Sequence, residues 1–234
     1  MDRETVTALE ELQKTVVSCT RCPRLVAHRE EVARVKRRMY LDWDYWGRPL
    51  PSFGDPEARL LILGLAPAAH GGNRTGRMFT GDSSADFLFR TLHRFGFASA
   101  PTSRRRDDGL TLHDAYITAA LRCAPPANKP LRDELASCEP YLLEELSLLR
   151  EVRVVLGLGK IAFDAYLRSC TARGLSLPSP RPKFGHGVTY PMPDGTRLVG
   201  AYHPSRQNTQ TGRLTVEAFD DVFEGVKRLL EQGD

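Results

Sequence analysis

Four short apolar runs, separated by stretches of helical character, constrain the fold more than any other feature of this chain. In chain order they cover residues 59–65, 115–118, 152–158 and 197–202. Such runs are typical of strands that are buried on both faces of a parallel sheet. Helical patterns lie between and after them, near residues 83–95, 131–149, 159–173 and 215–231. This alternation predicts a three-layer α/β/α fold, with any site at the carboxyl ends of the strands.

A turn sequence before the last apolar run predicts one further strand pairing. Pro193–Thr196 follows the short segment Val188–Tyr190 and directly precedes the run at 197–202. We expect this arrangement to form a hairpin at the edge of the sheet.

The N-terminal quarter of the chain has a different character. Residues 2–18 have the spacing of an amphipathic helix, and residues 26–39 predict a second, very basic helix. Residues 40–57 are rich in Trp, Gly and Pro, which indicates irregular coil. The whole chain of 234 residues has the size of one α/β domain. We therefore expect a single domain over 1–234, with residues 1–57 as its N-terminal helical and coil segment.

Charge and hydropathy narrow the class of protein. No run of about 18 apolar residues exists, so no transmembrane helix is expected, and Met1–Thr20 lacks the apolar core of a signal peptide. We expect a cytoplasmic protein. The formal net charge of +4 permits nucleic-acid binding without requiring it. Basic residues cluster at Arg34–Arg38 and Arg104–Arg106, and either cluster is a solvated surface or a phosphate contact.

Two long polar loops follow buried strands. The first begins with small residues at Gly64–Gly71 and continues to Asp82 with glycines, two arginines and Phe79. Small residues after a strand let a ligand approach the backbone closely. The second runs from His203 to Arg213, has no apolar member after Pro204 and is rich in hydrogen-bond donors, which suits contact with a phosphate backbone.

The cysteines form a pattern typical of metal or redox chemistry. Cys19 and Cys22 are separated by two residues, Cys123 and Cys138 by fourteen, and Cys170 is left over. Four thiolates suit either zinc or an iron–sulfur cluster, and four unrelated buried thiols remain an alternative. The long second gap is unlike a zinc ribbon, and Pro23 follows Cys22 as proline often follows cluster ligands.

These residues together resemble one known family. Gly64–Gly71 with Asn73–Asp82, Arg122–Pro130, and His203-Pro204-Ser205 are similar to the motifs of family 5 uracil-DNA glycosylases, the iron–sulfur type of the uracil-DNA glycosylase superfamily. The four cysteines also follow the family's order and spacing. Leu65 replaces an acidic residue of the related family 4. The resemblance covers nearly the whole chain.

The resemblance implies a fold, a cofactor and a set of contacts. The sheet would have four parallel strands, and a structural 4Fe–4S cluster on Cys19, Cys22, Cys123 and Cys138 would tie the N-terminal segment to the domain. Phe79 would stack on a base flipped out of DNA, and backbone groups of Leu65 and Ala66 would bind its edge. The expected DNA contacts are Asn73, Arg74, Ser205, Arg206, Gln207, Asn208 and Arg213.

The resemblance also implies the catalytic groups. His203 would donate a hydrogen bond to the ring oxygen that gains charge as the glycosidic bond breaks. Leu65, Ala66 and the alanines after Pro67 stand where other members of the superfamily hold a water-positioning side chain. Either Asp82 orients the water, or the bond breaks first and water adds late to a sugar cation stabilised by DNA phosphates.

The expected activity is removal of uracil without strand cleavage. The segment Thr118–Leu121 lacks the Asn with which uracil-selective relatives read the base, so hypoxanthine, xanthine, hydroxymethyluracil and ethenocytosine are further expected substrates. We expect a monomer whose partner is damaged DNA, with no membrane association. The alternative is an iron–sulfur protein that binds DNA damage and has little or no catalytic activity.

Overall fold

A computed structural model describes residues 3–232 and contains one mixed sheet of six strands. The strands are β1 (Phe53–Gly54), β2 (Leu60–Gly64), β3 (Ala115–Ala119), β4 (Val154–Leu158), β5 (Thr189–Pro191) and β6 (Arg197–Ala201), in the spatial order β1-β3-β2-β4-β6-β5. The four apolar runs form the parallel centre β3-β2-β4-β6. This parallel centre of four strands confirms the sequence expectation, and the antiparallel pairing of β5 with β6 confirms the expected edge hairpin. The antiparallel pairing of β1 with β3 at the other edge was not predicted.

Eight α-helices accompany the sheet in the described part of the chain. They are α1 (Arg3–Val17), α2 (Pro23–Val35), α3 (Gly72–Thr75), α4 (Ser83–Arg94), α5 (Arg132–Leu148), α6 (Lys160–Ala172), α7 (Arg206–Gln210) and α8 (Val216–Glu231). The five helices α1, α4, α5, α6 and α8 agree with the sequence expectation within two residues. The very short helices α3 and α7 lie inside the two polar loops and were not predicted.

The alternation of side chains along the strands produces the three layers. In β2, Leu60 and Ile62 pack on one face of the sheet, in the cluster that contains Phe89 of α4 and Phe223 of α8. Leu61 and Leu63, which alternate with them along the strand, pack on the opposite face against α6 and the end of α5. Every position of β2, β3 and β4 is buried, which explains their unbroken apolar character.

The N-terminal segment lies against this domain rather than apart from it. Helix α1 packs beside α5, and its residues Leu12 and Val16 are buried near the cysteines. Helix α2 was expected at 26–39 but begins at Pro23, whose missing N–H costs nothing in the first turn. It ends where Lys36 adopts a left-handed φ of 59°. The expected coil at 40–57 contributes strand β1 through Phe53–Gly54, which pairs with β3.

The topology places the carboxyl ends of β2, β3, β4 and β6 along one edge of the sheet. The two long polar loops, residues 65–82 and 202–215, leave from the ends of β2 and β6. This carboxyl edge is therefore the place to look for a site. Within residues 3–232, no helix combines the length and the apolar character needed to cross a membrane.

Candidate active site and thiol pocket

The first and last motifs meet at the carboxyl edge through two rings. The ring of Phe79, from the loop after β2, stacks on the imidazole of His203, which follows β6. Their centroids are 5.7 Å apart and their planes differ by 29°. Two residues expected from sequence to serve one site are thus in direct contact.

His203 is a neutral donor at physiological pH. Burial lowers the pKa of its imidazole to about 4, because the surroundings disfavour the charged form. A neutral imidazole carries one N–H and can donate one hydrogen bond without adding a charge. The backbone carbonyl of His203 accepts a hydrogen bond from Nδ2 of Asn208 at 2.8 Å, which holds the turn that presents the ring.

The backbone at Phe79 is strained, and the strand beside it is shaped to receive the ring. Phe79 has a φ of 45°, which is rare for a bulky residue and is found mostly where a site requires it. A Cβ atom on Gly64 would lie 3.0 Å from Cε2 of Phe79. Only glycine at the end of β2 therefore lets the ring lie this close to the strand.

Asp82 has a structural role besides its expected catalytic one. It is the N-cap residue of α4, and its Oδ1 accepts a hydrogen bond from the N–H of Ala85 at 2.9 Å. The other oxygen lies against Gly71, where a Cβ would collide with it. Burial raises the pKa of Asp82, although the N–H groups of Ala85 and Ser84 oppose this shift. One oxygen is thus committed to the helix, and the second faces the glycine-rich loop.

The polar residues of the first loop are buried, which does not agree with the expected DNA contacts of Asn73 and Arg74. The guanidinium of Arg74 lies between the rings of Tyr40 and Trp43, 3.9 and 4.0 Å from their centroids. It donates to the carbonyls of His70 at 2.8 Å and Gly81 at 2.7 Å. Arg74 therefore holds the two ends of the loop together.

Asn73 also serves the interior. Its side chain is fully buried and donates from Nδ2 to the carbonyl of Arg29 in α2 at 3.1 Å. A residue with no exposed surface does not reach a phosphate in this arrangement. The sequence showed the polarity of Asn73 but not the side of the loop on which it lies.

Arg77 is a scaffold residue that sequence reasoning did not single out. Its side chain is 3% exposed and donates to Thr80, Ser103 and Asp108 at 3.0, 2.7 and 2.7 Å. Burial alone would raise the pKa of Asp108, but the hydrogen bonds from Arg77 and nearby backbone N–H groups outweigh it and hold this pKa well below its usual range. The pair fixes the first loop to the segment before β3.

The second loop has the opposite character. Ser205 caps α7 by accepting from the N–H of Asn208 at 3.3 Å, and Asn208 turns back toward His203. Arg206 and Gln207 are exposed. Arg213 is exposed and stacks over Tyr202, with 4.4 Å between its guanidinium carbon and the ring centroid. Arg206, Gln207 and Arg213 are therefore placed where DNA can reach them.

The backbone at Leu65 and Ala66, which we expect to bind the base, joins two strand ends. The carbonyl of Leu65 accepts a hydrogen bond from the N–H of Leu121 at 2.9 Å, which ties the loops after β2 and β3 together. Beside it, Ala119 and Ala120 end β3 with buried methyl groups. No side-chain amide is present at this end of β3, as the segment Thr118–Leu121 predicted.

A contact between Tyr45 and His70 extends the site toward the N-terminal segment. The Tyr45 hydroxyl lies 3.1 Å from Nδ1 of His70, and the backbone of Arg37 bonds the same hydroxyl. Burial, together with the positive charges of Arg37 and Arg74, lowers the pKa of His70. No sequence signal pointed to this pair, because Tyr45 comes from a stretch that was expected to be irregular coil.

The four paired cysteines converge on one pocket. Cys19, Cys22, Cys123 and Cys138 line a single cavity between α1, α2 and the start of α5, and none of them is in a disulfide. We call this cavity the thiol pocket. Cys170 lies elsewhere, in the buried cluster that α6 forms with the sheet.

Positive charge surrounds the thiol pocket. Nη1 of Arg29 donates to Sγ of Cys123 at 3.1 Å, and the N–H of Arg122 donates to Sγ of Cys138 at 3.3 Å. The Nε atoms of both arginines are buried without a hydrogen-bond partner. No three His, Cys, Asp or Glu side chains within residues 3–232 group closely enough to hold one metal ion. The four thiols thus line a cavity rather than meeting at one point.

Comparison with known proteins gives consistent results. The family model of the uracil DNA glycosylase superfamily matches residues 51–227. A type-5 uracil-DNA glycosylase of Thermus thermophilus is 51% identical over 229 residues, which are 98% of this chain and 99% of that protein. A type-5 protein of Mycobacterium tuberculosis is 50% identical over 220 residues, 94% of this chain and 81% of its own length. A type-4 uracil-DNA glycosylase of Pyrobaculum aerophilum is 26% identical over 198 residues, 84% of this chain and 83% of that protein.

Proposed function

The chain belongs to the uracil DNA glycosylase superfamily, and from that premise we propose that it hydrolyses the N-glycosidic bond between uracil and deoxyribose in DNA. The observation that carries the proposal is the contact of His203 with Phe79 at the carboxyl edge. It combines an aromatic surface for a base with a neutral hydrogen-bond donor. The product is an abasic site, the first intermediate of base excision repair.

His203 stabilises the leaving base. When the glycosidic bond breaks, negative charge collects on the uracil ring and its carbonyl oxygens. An N–H of neutral His203 meets that charge, and one such donor in a site that excludes water contributes about 3–4 kcal/mol. Because the pKa of His203 is about 4, the imidazole donates this hydrogen bond in its neutral form at physiological pH.

Substrate entry requires the two rings to part. A centroid distance of 5.7 Å is that of two rings in direct contact, so no third ring fits between Phe79 and His203. A base extruded from the duplex, as glycosylases require, would displace His203 to stack on that face of Phe79. The strained φ of Phe79 fits a ring held ready for such a substrate.

Asp82 is the candidate for orienting the attacking water. Its oxygen beside Gly71 is the one not used by the cap of α4. The alternative route, in which the bond breaks before water adds, needs no such group and relies on DNA phosphates to stabilise the sugar cation. The two routes differ in how strongly the rate depends on the Asp82 carboxylate.

The base pocket has little means of selecting uracil alone. The segment Thr118–Leu121 carries no side-chain amide that could read the edge of the base. Without such an amide, a different base would leave one polar side chain fewer unpaired, so discrimination between bases should be weaker. We therefore extend the proposal to hypoxanthine, xanthine, hydroxymethyluracil and ethenocytosine.

We also propose that the thiol pocket holds a structural 4Fe–4S cluster. A cluster of this kind binds each thiolate at a different iron atom, so its ligands stand around a cavity. The charge of Arg29, which donates to Cys123, and the backbone N–H of Arg122, which donates to Cys138, would stabilise the anionic thiolates, while the guanidinium of Arg122 is paired with Glu145. When bound, the cluster supplies a cross-link between α1, α2 and α5 rather than a step of the reaction.

Iron analysis tests the cluster proposal. The protein should contain about four iron and four sulfide per chain. Cys123→Ser should lose most of the iron, whereas the matched variant Cys170→Ser should keep it. A wild-type protein that holds one zinc ion and no iron would overturn the proposal.

Single-turnover excision tests the proposed activity. Wild-type protein is incubated with oligonucleotides that carry one uracil, hypoxanthine or xanthine, and His203→Ala is assayed beside it. We expect excision of several bases without strand cleavage, and a rate about 10²- to 10³-fold lower in the variant. Tight binding without excision of any base would favour the DNA-damage-binding alternative.

Because one chain carries both loops of the site, we expect the monomer to be active. Light scattering measures the oligomeric state of the active protein.

A further inference from the structure

The segment Val35–Leu41, which we call the rim segment, exposes an unusual mixture of side chains. Its three large apolar residues Val35, Met39 and Leu41 are 55%, 70% and 57% exposed. Between them lie Arg37 and Arg38, which are also exposed. Large exposed apolar side chains next to exposed arginines are typical of an interaction surface.

The exposed apolar residues of the molecule share one location. Within residues 3–232, the only other exposed large apolar side chains are Leu131, Ile161 and Val216. They stand at the beginnings of α5, α6 and α8, the helices that follow β3, β4 and β6. Helices that follow parallel strands begin at the carboxyl edge of the sheet. The large apolar residues left in water therefore gather on the same face as His203.

The rim segment is fastened to the active-site loop. Tyr45 bonds the backbone of Arg37 and lies 3.1 Å from Nδ1 of His70. Tyr40, within the segment, covers one face of the Arg74 guanidinium at 3.9 Å. Through these contacts the segment is held beside the loop that carries Phe79.

The segment is also closed on itself. Lys36 ends α2 with a left-handed φ of 59°, and its Nζ donates to the carbonyl of Leu41 at 3.2 Å. A 3₁₀ turn over Arg38–Tyr40 fills the space between. The exposed side chains therefore project from a short, ordered protrusion, and little conformational entropy is lost when they bind.

Charge identifies the partner. No ion pair of Arg37 or Arg38 is found within residues 3–232, while the nearby Asp42 and Asp44 line the neighbouring cleft with Arg105 and Arg106. Proteins that grip a kinked duplex combine arginines for the phosphates with apolar wedges such as Met or Leu for the base steps. The rim segment has both, next to a site that requires a nucleotide to leave the stack.

We propose that the rim segment is a second DNA-contacting element, in which Met39 and Leu41 press on the bases beside the flipped nucleotide and Arg37 and Arg38 contact phosphates. The proposal rests on the proposed function and identifies a second part of the protein surface that binds the DNA substrate. DNA would then be held from two sides, by the rim segment and by the loop 202–215. Both contacts are independent of base sequence.

The apolar part is tested with the double variant Met39→Ser/Leu41→Ser. We expect its affinity for a uracil-containing duplex to fall about tenfold, a larger loss than in the single-turnover rate at saturating protein. Met39→Leu, which keeps an apolar side chain, should bind as the wild type does. Unchanged duplex affinity in the double serine variant would overturn the proposal, and a protein partner would then be the better occupant.

The basic part is tested by salt dependence. Arg37→Ala/Arg38→Ala should lower the slope of log affinity against log salt by about 2, because two phosphate contacts are lost. The control Arg168→Ala/Arg228→Ala removes two exposed charges from the far ends of α6 and α8 and should leave the slope unchanged. Equal slopes in all proteins would refute the phosphate contacts.

The assays separate this inference from the proposed function. Excision by the wild type establishes the activity, and only the variants report on the rim segment. A wild type that removes no base would refute the proposed function, while duplex binding would still measure the rim contacts. Urea unfolding midpoints equal to that of the wild type show that each variant remains folded.

Discussion

The two polar loops of the site have similar compositions but differ in the burial of their polar side chains. The loop 65–82 buries its polar side chains, so that Asn73, Arg74 and Arg77 are each at most 3% exposed. The loop 202–215 leaves Arg206 and Arg213 in water. The first is a rigid frame for Phe79 and Asp82, and the second is a surface that can meet DNA.

The difference comes from the neighbours of each loop. The first loop lies between the N-terminal segment and the segment that carries Ser103 and Asp108, so its arginines find partners inside the protein. The second loop is anchored at its beginning, where Tyr202 stacks on His186 and His203 stacks on Phe79, but Arg206 and Gln207 farther along it stay exposed. Polar composition alone therefore does not say whether a loop binds a ligand or holds itself together.

Removing Arg77 should produce the largest effect and would break the first loop. Arg77→Ala leaves Thr80, Ser103 and Asp108 without their buried donor, so we expect the free energy of unfolding to fall by about 3–5 kcal/mol. Urea unfolding at neutral pH measures the loss. A change below about 0.5 kcal/mol, the size typical of a surface substitution, would contradict the description of this loop as a frame.

The same variant carries a pH signature. The pKa of Asp108 in the folded protein lies below its unfolded value of about 3.9, so its stabilising contribution is present above that pH and lost as pH falls. The difference in stability between wild type and Arg77→Ala should be constant from about pH 7 to pH 5 and shrink below about pH 4. A difference that grows on acidification would show that the ion pair is not its cause.

Two substitutions of Asp82 distinguish its role as the N-cap of α4 from its proposed role in orienting water. Asn caps a helix about as well as Asp, so Asp82→Asn should keep the stability, while Asp82→Ala should lose about 1 kcal/mol. If the carboxylate orients water, both should slow single-turnover excision about 10²-fold. Full activity in a folded Asp82→Asn protein would favour the route in which the bond breaks first.

The smallest effect is expected in the second loop. Arg206→Ala removes one exposed charge, so stability should change by less than about 0.5 kcal/mol and the salt slope of DNA binding should fall by about 1. Fluorescence anisotropy at several salt concentrations measures the slope. A large loss of stability instead would show that Arg206, like Arg77, helps to hold its own loop together.

Sequence patterns predicted the centre of the fold well. The four parallel strands follow from apolar runs that are visible without a structure, and every residue of these strands except Arg197 at the start of β6 is buried. Strand β1 has only two residues, Phe53–Gly54, and its pairing depends on β3 rather than on its own composition. Helices α3 and α7 are too short to show a period, so the loops that contain them were expected to be irregular.

The site was predicted in part. The structure brings His203 and Phe79 together, as the family motifs led us to expect, and their roles stay predictions. Arg74 was expected to contact DNA, whereas the structure buries it against Tyr40 and Trp43, which are distant in sequence. Contacts between distant segments of irregular structure leave no periodic signal from which they can be inferred.

Helix α2 connects two places that have so far been described separately. It starts beside Cys22 in the thiol pocket and ends at Val35, where the rim segment begins. Its thirteen residues span about 20 Å, so α2 joins the thiol pocket to the rim segment. If the proposed 4Fe–4S cluster cross-links the thiol pocket, a chain that lacks the cluster would release α2. Proteases would then cut within residues 36–57 before they reached the sheet, and turnover would remove such chains before they met damaged DNA.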